Sequence, residues 1–446
     1  KFLNAEGHKA SGELAFKRGN FPNWEKSIYK KQNKPMRNAT VTTIAPTGTL
    51  SMVPNCTSGV EPAFSLVNIR RTFFEGTRNV GAGKTLVFVD PVFERVAREE
   101  GFYSDHLMEQ IAQEGSLQHI EGIPEHIKRV FVTTHDIAYD WHVKIQAAFQ
   151  KHTDNAVSKT INLPGSATMD DVRRAYIMAY ELGCKGITVY RDGSKESQIL
   201  NTTATAQTDD FPFRVSKPLV EEKVPTYMAE KKVMLKEASA ASLFSSALTP
   251  NALAVLRKRA FLRNEQGEVT ETPDQLFHRV ARTMAAAEGQ YGTSEEGIRT
   301  WEEKFEEMLA SLEFIAGQAL RNATASSLTL SACLVLPVED SIDGIMRAIS
   351  ENVIAHKATC GTGFNFSNLR SRNASVGSTG ELAAGPVTFM KAFDATQGTI
   401  RTKGGRNQGA MAILNIDHPD IEEFIQMKDD PAQMTHYNIS VGVTDA

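Results

Sequence analysis

The feature that most constrains the fold is the alternation of helical and extended segments, which occurs in two separate blocks of the chain. Residues 1–200 alternate the two patterns, and the stretch that follows Leu328 does so again. This alternation is typical of α/β architectures, in which helices cover a sheet. We therefore predict an α/β fold built from two blocks.

The composition changes between the blocks. Segment 201–246 is first threonine-rich and then rich in small residues, so we interpret it as a linker or peripheral segment. Thr249-Pro250 and Thr272-Pro273 each pair a capping residue with a first-turn proline, which indicates helix starts, and Ser294 to Ala319 forms a third helical stretch. The predicted organisation is a first block at 1–200, the segment 201–246, a helical region at 247–330 and a second α/β block at 331–446.

Further elements are expected from local patterns. We predict helices over Ala10 to Arg18, Phe131 to Phe149, Asp170 to Leu182 (with Ser166 or Thr168 as cap) and Ile342 to His356. Extended segments are predicted at Ala39 to Ala45, in "CKGITVYRDGS" as a short buried strand, and in "LTLSACLVLPV".

Charge and cysteine content exclude several classes of protein. The net charge of −4 and pI near 6.3 argue against a nucleic-acid binder with a basic surface. None of the four cysteines forms a Cys-x-x-Cys pair and no histidine has metal-ligand spacing, so we expect no metal site. So few cysteines fit a reducing compartment. No apolar run reaches about 18 residues, and no signal peptide is visible, so we expect a cytoplasmic protein without a membrane span.

Four glycine- or cysteine-containing stretches are candidate sites, and each also has an ordinary structural interpretation. "APTGTLS" at 45–51 follows a β-rich run and is either a capped turn or a phosphate site made of backbone amides. Cys333 is either a small buried thiol or a reactive one, with Asp340 and Ser341 as helix caps in the first case. "ATCGTGFNF" and "TKGGRNQGAMAI", the latter with Lys403 and Arg406, are tight connections, solvated loops or ligand contacts.

"GAGKT" at 81–85 is not a nucleotide P-loop. That motif needs glycine at position 78, where this chain has Arg78, and it needs a following helix, whereas "LVFVD" is strand-like.

Taken together, these segments resemble one family. "RNATVTTIAPTGTLSMVPNCTSGVEPAF", "HTDNAVSKTINLP" and "ELGCKGITVYRDGSK" are similar to the later part of adenosylcobalamin-dependent (class II) ribonucleotide reductases. "LTPNALAVLRKR", "SACLVLPVEDSIDGI", "GTGFNFSNLR" and "HPDIEEFI" are similar to the first part of the same enzymes. The resemblance implies a ten-stranded α/β barrel made of two five-stranded halves, with an N-terminal-type helical region in the second block.

The resemblance also implies site residues. Cys333 would be one of two thiols that supply reducing electrons, and Gly361 a glycine against which the substrate lies. Segments 375–385 and 402–410 would relay effector identity to the substrate. The implied substrate-binding residues are Pro46, Thr47, Gly48, Thr49, Leu50, Ser331, Ala332, Cys333 and Gly361. The implied effector-binding residues are Asp340, Ser341, Ile342, Lys403 and Arg406.

The implied reaction is reduction of a ribonucleotide to a deoxyribonucleotide by a radical mechanism. Adenosylcobalamin would supply the radical, and a thioredoxin-type or small dithiol would reduce the disulfide formed at the cysteine pair. Deoxynucleoside triphosphates or ATP would be effectors, and a homodimer is expected because the family's effector site commonly lies at a dimer interface.

Two main departures from the family pattern and two smaller ones are visible. The block that resembles the family's second half precedes the block that resembles its first half. The family's radical cysteine lies in Asn-Pro-Cys-x-Glu, but here the residues two after the cysteines are Ser58, Gly186, Val335 and Thr362. Cys360 stands where the family has a glycine-type position, and "GGRNQGA" contains one arginine where two are usual.

These departures leave three interpretations open. The chain is a permuted reductase that is incomplete alone, one part of a split reductase whose second chain supplies the radical cysteine, or an inactive nucleotide-binding or regulatory protein. A genomic artefact would give the same sequence. The large subunit of a di-iron reductase shares the barrel, but "TTIAPTGT" and "GCKGITVYRDGS" resemble the cobalamin-dependent branch.

Overall fold

The computed structural model of this protein describes residues 1–72, 84–194, 248–323, 329–377, 380–400, 409–430 and 432–445. The described residues up to Val255 form one compact unit, and those from Leu256 onward form a second. None of the described helices is both long enough and apolar enough to cross a membrane.

The first unit alternates helices with short strands. Its helices are α1 (Phe2–Arg18), α2 (Ile28–Lys31), α3 (Pro91–Glu99), α4 (Asp105–Glu114), α5 (Glu125–Val130), α6 (Tyr139–Gln150) and α7 (Met169–Glu181). Its strands are β1 (Val67–Thr72) and β2 (Lys84–Val89), which pair antiparallel, and β3 (Thr160–Leu163) and β4 (Thr188–Arg191), which pair parallel. The strand predicted after "GAGKT" is therefore confirmed as β2.

Side-chain caps place several of these helix starts. Thr168 accepts a hydrogen bond from the N–H of Asp171 at 3.2 Å, and the Asp171 carboxylate accepts one from the N–H of Thr168 at 2.8 Å. This reciprocal capping box starts α7 where the sequence predicted a helix, with Thr168 rather than Ser166 as the cap. The face of α7 that carries Ala175 packs with Val143, Ile161 and Leu163 in one apolar cluster.

Three predictions for this unit need correction. Ala39 to Ala45 forms no regular strand, because the Asp154 carboxylate accepts the Val41 N–H at 2.8 Å and only Ile44 makes a parallel bridge, to Val157. Phe131 to Phe149 is helical only from Tyr139, because a capping box of Thr133 with Asp136 forms a separate 3₁₀ turn first. The strand in "CKGITVYRDGS" is confirmed as β4, but its residues are not buried.

The second unit combines a helical region with a parallel sheet. Its helical region contains α8 (Pro250–Arg259), in which the boundary between the units falls, α9 (Pro273–Ala285), α10 (Glu295–Ala310) and α11 (Gly317–Asn322). The remaining helices are α12 (Ile342–Lys357), α13 (Pro386–Gly398) and α14 (Ile421–Gln426). Its strands are β5 (Cys333–Leu336), β6 (Gly361–Asn365), β7 (Ala410–Asn415) and β8 (Tyr437–Gly442).

These four strands form one parallel sheet in the order β5-β6-β7-β8. Thr362 lies opposite Ala410, and Phe364 lies opposite Ala412. The core beneath this sheet is apolar and includes Phe364, Phe393 from α13 and Ile345 from α12. Each crossover between neighbouring strands contains a helix, as parallel pairing requires. The predicted α/β class is confirmed.

The helical region starts where the threonine-proline pairs predicted. The Oγ1 atom of Thr249 accepts the N–H of Ala252 at 3.1 Å, and Thr272 forms a capping box with Gln275. The predicted single stretch from Ser294 to Ala319 is wrong. Helix α10 ends at Ala310 and Leu312 adopts a left-handed φ of 59°, so a turn precedes α11.

Candidate functional site

The segment 46–50 lies in the first unit as an irregular loop that leads into a single 3₁₀ turn, Leu50–Met52. Thr47 has a φ of 42°, which is uncommon for a β-branched residue. Its carbonyl accepts the N–H of Ser51 at 2.9 Å, so the chain folds back at once. One 3₁₀ turn has too few aligned peptides for a substantial helix dipole. Any phosphate held here would be bound by individual amides and hydroxyls.

Cys333 and Gly361 lie side by side in the second unit. They are register partners at the beginning of the parallel pair β5-β6. A Cβ atom added to Gly361 would lie 3.4 Å from the Cys333 sulfur and 3.0 Å from the Gly409 carbonyl oxygen. Gly361 is buried, and the absence of a side chain there lets β5, β6 and the Gly409 backbone pack closely around the thiol.

The Cys333 side chain is exposed rather than buried, so the interpretation of this residue as a small buried thiol is wrong. Val335, two residues along β5 and on the same face of the strand, is 88% exposed. Parallel sheets normally have both faces covered. In the described part of the second unit, the apolar core lies on the face that carries Thr362 and Phe364, while the opposite face is exposed at Cys333 and Val335 and half-buried at Met411 and Ile413.

Cys360 differs from Cys333 in its surroundings. It is fully buried, its N–H donates to the Ala355 carbonyl at the end of α12 at 2.9 Å, and its thiol points to the Gly361 carbonyl at 3.4 Å. Burial raises the pKa of the Cys360 thiol, and the neighbouring Cys333 raises it further. Cys360 is therefore a protonated, packed thiol in this structure.

Ser331 and Ala332 directly precede Cys333, and each makes a hydrogen bond that fixes its backbone. The Ser331 N–H donates to the Thr329 hydroxyl at 3.0 Å, and the Ala332 carbonyl accepts the Gly361 N–H at 2.9 Å. The backbone that leads to Cys333 is thus tied to the rest of the unit. The triplet 331–333 and Gly361 form one cluster at the start of two strands.

The predicted effector residues Asp340, Ser341 and Ile342 lie together at the N-terminus of α12. Ser341 caps the helix by accepting the Gly344 N–H at 3.0 Å. Asp340 is not a cap, because its carboxylate accepts the Nε–H of Arg370 at 2.9 Å in an ion pair. Ile342 is 62% exposed. At the N-terminus of α12, the exposed Ile342 side chain therefore lies near the ion pair of Asp340 with Arg370.

The remaining predicted loops are described only in part. Lys403 and Arg406 lie outside the described residues, as does most of segment 402–410. In segment 375–385, Ser375 and Leu382 form an antiparallel bridge, and the Val376 N–H donates to the Glu381 carbonyl at 2.8 Å. The described part of this loop is therefore a short hairpin.

Comparison with protein families decides the assignment of the chain. The model of the ribonucleotide reductase barrel domain matches residues 1–190 and 331–446, which is more than half of the chain. This chain belongs to the ribonucleotide reductase family. The model of the family's all-alpha domain matches residues 246–326, the region of α8 to α11. The predicted family is thus confirmed, while the order of the two barrel blocks stays a prediction.

Individual relatives point to the cobalamin-dependent branch. The chain is 49% identical over 207 residues to the vitamin B12-dependent ribonucleoside-diphosphate reductase of Thermoplasma acidophilum, covering 46% of this chain and 26% of that protein. It is 44% identical over 202 residues to the enzyme of the same name from Mycobacterium tuberculosis, covering 45% and 28%. A vitamin B12-dependent ribonucleotide reductase of Rhodopirellula baltica is 32% identical over 213 residues, covering 45% and 20%. The matched segment thus spans about a quarter of the length of these relatives.

Proposed function

We propose that this chain supplies the substrate-holding and reducing parts of a cobalamin-dependent ribonucleotide reductase. The observation that carries the proposal is the exposed Cys333 thiol, which lies against Gly361 at a position so closely packed that only glycine fits without displacement. The names of the relatives support ribonucleoside diphosphates as substrates and vitamin B12 as cofactor. The adenosyl form of the cofactor, a dithiol reductant and nucleotide effectors are further parts of the proposal.

The reaction replaces the 2′-hydroxyl of the ribose by hydrogen and releases that oxygen as water. Two thiols lose their hydrogens and two electrons and become a disulfide, so an external dithiol must restore them. Cys333 is proposed as one of these thiols. The exposure of Cys333 on this face of the sheet supports the role. A reducing thiol must reach the substrate, and it must also reach the second thiol with which it forms the disulfide.

The substrate phosphates are assigned to loop 46–50. Thr47 and Thr49 provide hydroxyls, and Gly48 lets a ligand approach the backbone because no Cβ is in the way. The chain has a net charge of −4, so its overall charge does not attract phosphates. Binding of the phosphate by neutral hydroxyl and amide donors in this loop is consistent with that charge. This loop and the Cys333 cluster belong to the two different units.

Cobalamin would supply the radical that starts the reaction when it is bound. The residues of this chain do not provide the cysteine that receives this radical in the family, because none of the four cysteines is followed two positions later by glutamate. The steps assigned to this chain are therefore binding of the substrate and its reduction. The proposal is that the radical cysteine comes from polypeptide outside these 446 residues.

Alkylation of Cys333 tests the proposal without requiring turnover. A ribonucleoside diphosphate that lies against Gly361 would shield the neighbouring thiol, so cytidine diphosphate should slow iodoacetamide modification of Cys333 several-fold, measured by peptide mass spectrometry. Cys184, which is partly exposed and distant in sequence from both candidate segments, is the internal reference.

The variant Gly361→Ala separates specific from general protection. Its added Cβ would press on the Gly409 carbonyl oxygen and contact the Cys333 sulfur, so it would alter the surface against which the nucleotide is proposed to lie, and protection of Cys333 should be lost. Equal modification of Cys333 with and without nucleotide in the unaltered chain would refute the assignment of this surface to the substrate.

A further inference from the structure

A buried ion pair lies close to loop 46–50 in the first unit. The Nζ atom of Lys159 lies 2.6 Å from the Oε2 atom of Glu61, and the Lys159 side chain is 0% exposed. The other carboxylate oxygen of Glu61 accepts the N–H of Thr160 at 2.6 Å, at the first residue of β3. Lys159 also donates to the Thr160 carbonyl. Burial of an ammonium group is costly unless it is paired, so this pair ties Glu61 firmly to the start of β3.

The segment that ends at Glu61 holds the loop from one side. The Gly59 N–H donates to the Thr47 hydroxyl at 3.0 Å, and the Ser58 and Ser51 hydroxyls are 3.1 Å apart. A Cβ atom at Gly59 would lie 3.1 Å from the Ala45 carbonyl oxygen. Only glycine at position 59 therefore lets its segment approach the backbone of Ala45 this closely. The Glu61 N–H in turn donates to the Ser58 carbonyl at 2.9 Å.

The segment that precedes Lys159 holds the loop from the other side. Val157 makes a parallel bridge to Ile44, and the Ser158 N–H donates to the Ile44 carbonyl at 2.8 Å. The contacts therefore form a closed ring from Ile44 through Thr47 and Gly59 to Glu61, then across the ion pair to Lys159 and back. The Glu61 side chain links the two sides, through its ion pair with Lys159 and the hydrogen bond from the Thr160 N–H.

Thr47 is the residue that most needs this support. A φ of 42° is disfavoured for threonine and persists only where its surroundings impose it. Its hydroxyl accepts the hydrogen bond from Gly59, whose position depends on Glu61. Loss of the link would free Thr47 to relax toward ordinary backbone angles.

We propose that Lys159 and Glu61 are positioning residues for the phosphate loop 46–50. Their ion pair fixes the segment 58–61 against the loop and so sets the geometry in which the loop meets a nucleotide phosphate. Lys159 is fully buried and does not touch the ligand. The proposal rests on the assignment of this loop to the substrate phosphates.

Three variants of the full chain test the proposal: Lys159→Met, Glu61→Gln, and the two changes combined. Glu61→Gln leaves a fully buried ammonium group unpaired and Lys159→Met leaves a partly buried carboxylate unpaired, so each destabilises the unit whatever the role of the loop. The combined variant removes both charges, so it should unfold close to the wild-type temperature while it lacks the ion pair and keeps at most the hydrogen bond from the Thr160 N–H. This separates loop positioning from general stability.

Hydrogen exchange and calorimetry give two independent measurements. In the ligand-free combined variant, the amides of residues 47–51 should exchange at least about tenfold faster than in the unaltered chain. Cytidine diphosphate should bind the combined variant about tenfold more weakly by isothermal titration calorimetry, because small misplacements of binding groups are costly. Lys144→Met, which removes the exposed pair with Asp140 on α6, is the matched control and should change neither.

Each result has a distinct meaning. Wild-type exchange rates at 47–51 in the combined variant would overturn the positioning role whether or not any nucleotide binds. Faster exchange together with wild-type affinity would also overturn it, because the loop geometry would then not matter to the ligand. Faster exchange in a protein whose unaltered form binds no nucleotide would support the link and refute the assigned role of the loop.

Discussion

Single residues in this chain carry roles that depend on their immediate surroundings more than on their type. Cys333 and Cys360 are both thiols beside Gly361, one across the sheet and one along the chain, yet Cys333 is exposed and Cys360 is fully buried. The difference follows from the sheet, because Cys360 precedes β6 on the side of α12 while Cys333 begins the outer strand β5. A sequence shows both cysteines but not which one a ligand can reach.

His356 gives a pH-dependent prediction at this scale. It is buried, its Nε2 atom lies 2.8 Å from the Thr362 hydroxyl, and burial together with the nearby His436 lowers its pKa from 6.5 to about 4. Between these two pH values the folded state binds fewer protons than the unfolded chain. The free energy of unfolding should therefore fall as the pH is lowered from 6.5 to 4, by up to about 3 kcal/mol from this residue.

Urea unfolding across this pH range measures the effect. His356→Gln keeps a polar partner for Thr362 but cannot take up a proton, so its stability should depend less steeply on pH than that of the unaltered chain. His278→Gln changes an exposed histidine on α9 and should keep the wild-type slope. Identical slopes for all three proteins would rule out His356 as the source.

At the scale of elements, helix starts could be predicted from the sequence and helix interiors less well. Thr168, Thr249 and Thr272 each cap the helix that was expected to follow, because a cap depends on only three or four neighbouring residues. The run from Phe131 was misjudged because the Thr133 capping box competes with helix continuation. Such competition is decided by local hydrogen bonds that apolar periodicity does not reveal.

The candidate site shows the same limit. The glycines and Cys333 are visible in the sequence, but their partnership depends on strand register. Cys333 pairs with Gly361 only because α12 and its flanking turns return the chain to that position. The ion pair of Glu61 with Lys159 joins residues nearly a hundred positions apart and has no local signal.

Arg279 on α9 provides a stability prediction for the helical region. Its guanidinium is buried, pairs with Glu271 at 2.6 Å, and donates to the carbonyls of Ala323 and Ala260 at 2.8 and 3.3 Å. It thus joins the ends of α8 and α11 to α9. Arg279→Met should lower the free energy of unfolding by about 3–5 kcal/mol, because Glu271 is left as an unpaired buried charge.

Denaturant unfolding gives this value directly. Arg282→Met removes an exposed arginine from the same helix and should change stability by less than about 0.5 kcal/mol. If both variants lost the same small amount, the buried network would not be the main support of this region.

At the scale of the whole molecule, the match to the barrel-domain model on both sides of the all-alpha match defines what the chain contains. It has the candidate phosphate loop and one candidate redox thiol, while the Asn-Pro-Cys-x-Glu stretch is not in these 446 residues. The inverted order of the blocks stays a prediction, and both a permuted and a split reductase would need the radical cysteine from polypeptide outside these residues.

Reconstitution of activity with a second polypeptide tests whether the chain needs a radical cysteine from outside its own sequence. The purified chain with adenosylcobalamin, cytidine diphosphate and a dithiol should form no deoxycytidine diphosphate, because none of its four cysteines is followed two positions later by glutamate. Mixing with a polypeptide that carries Asn-Pro-Cys-x-Glu should produce it, as measured by chromatography. The same mixture with Cys333→Ser in this chain should lose the activity, since one of the two reducing thiols is gone. Deoxynucleotide formation by the chain alone would show that a cysteine of this sequence serves as the radical site, whereas no activity in any mixture, despite nucleotide binding, would indicate a regulatory protein.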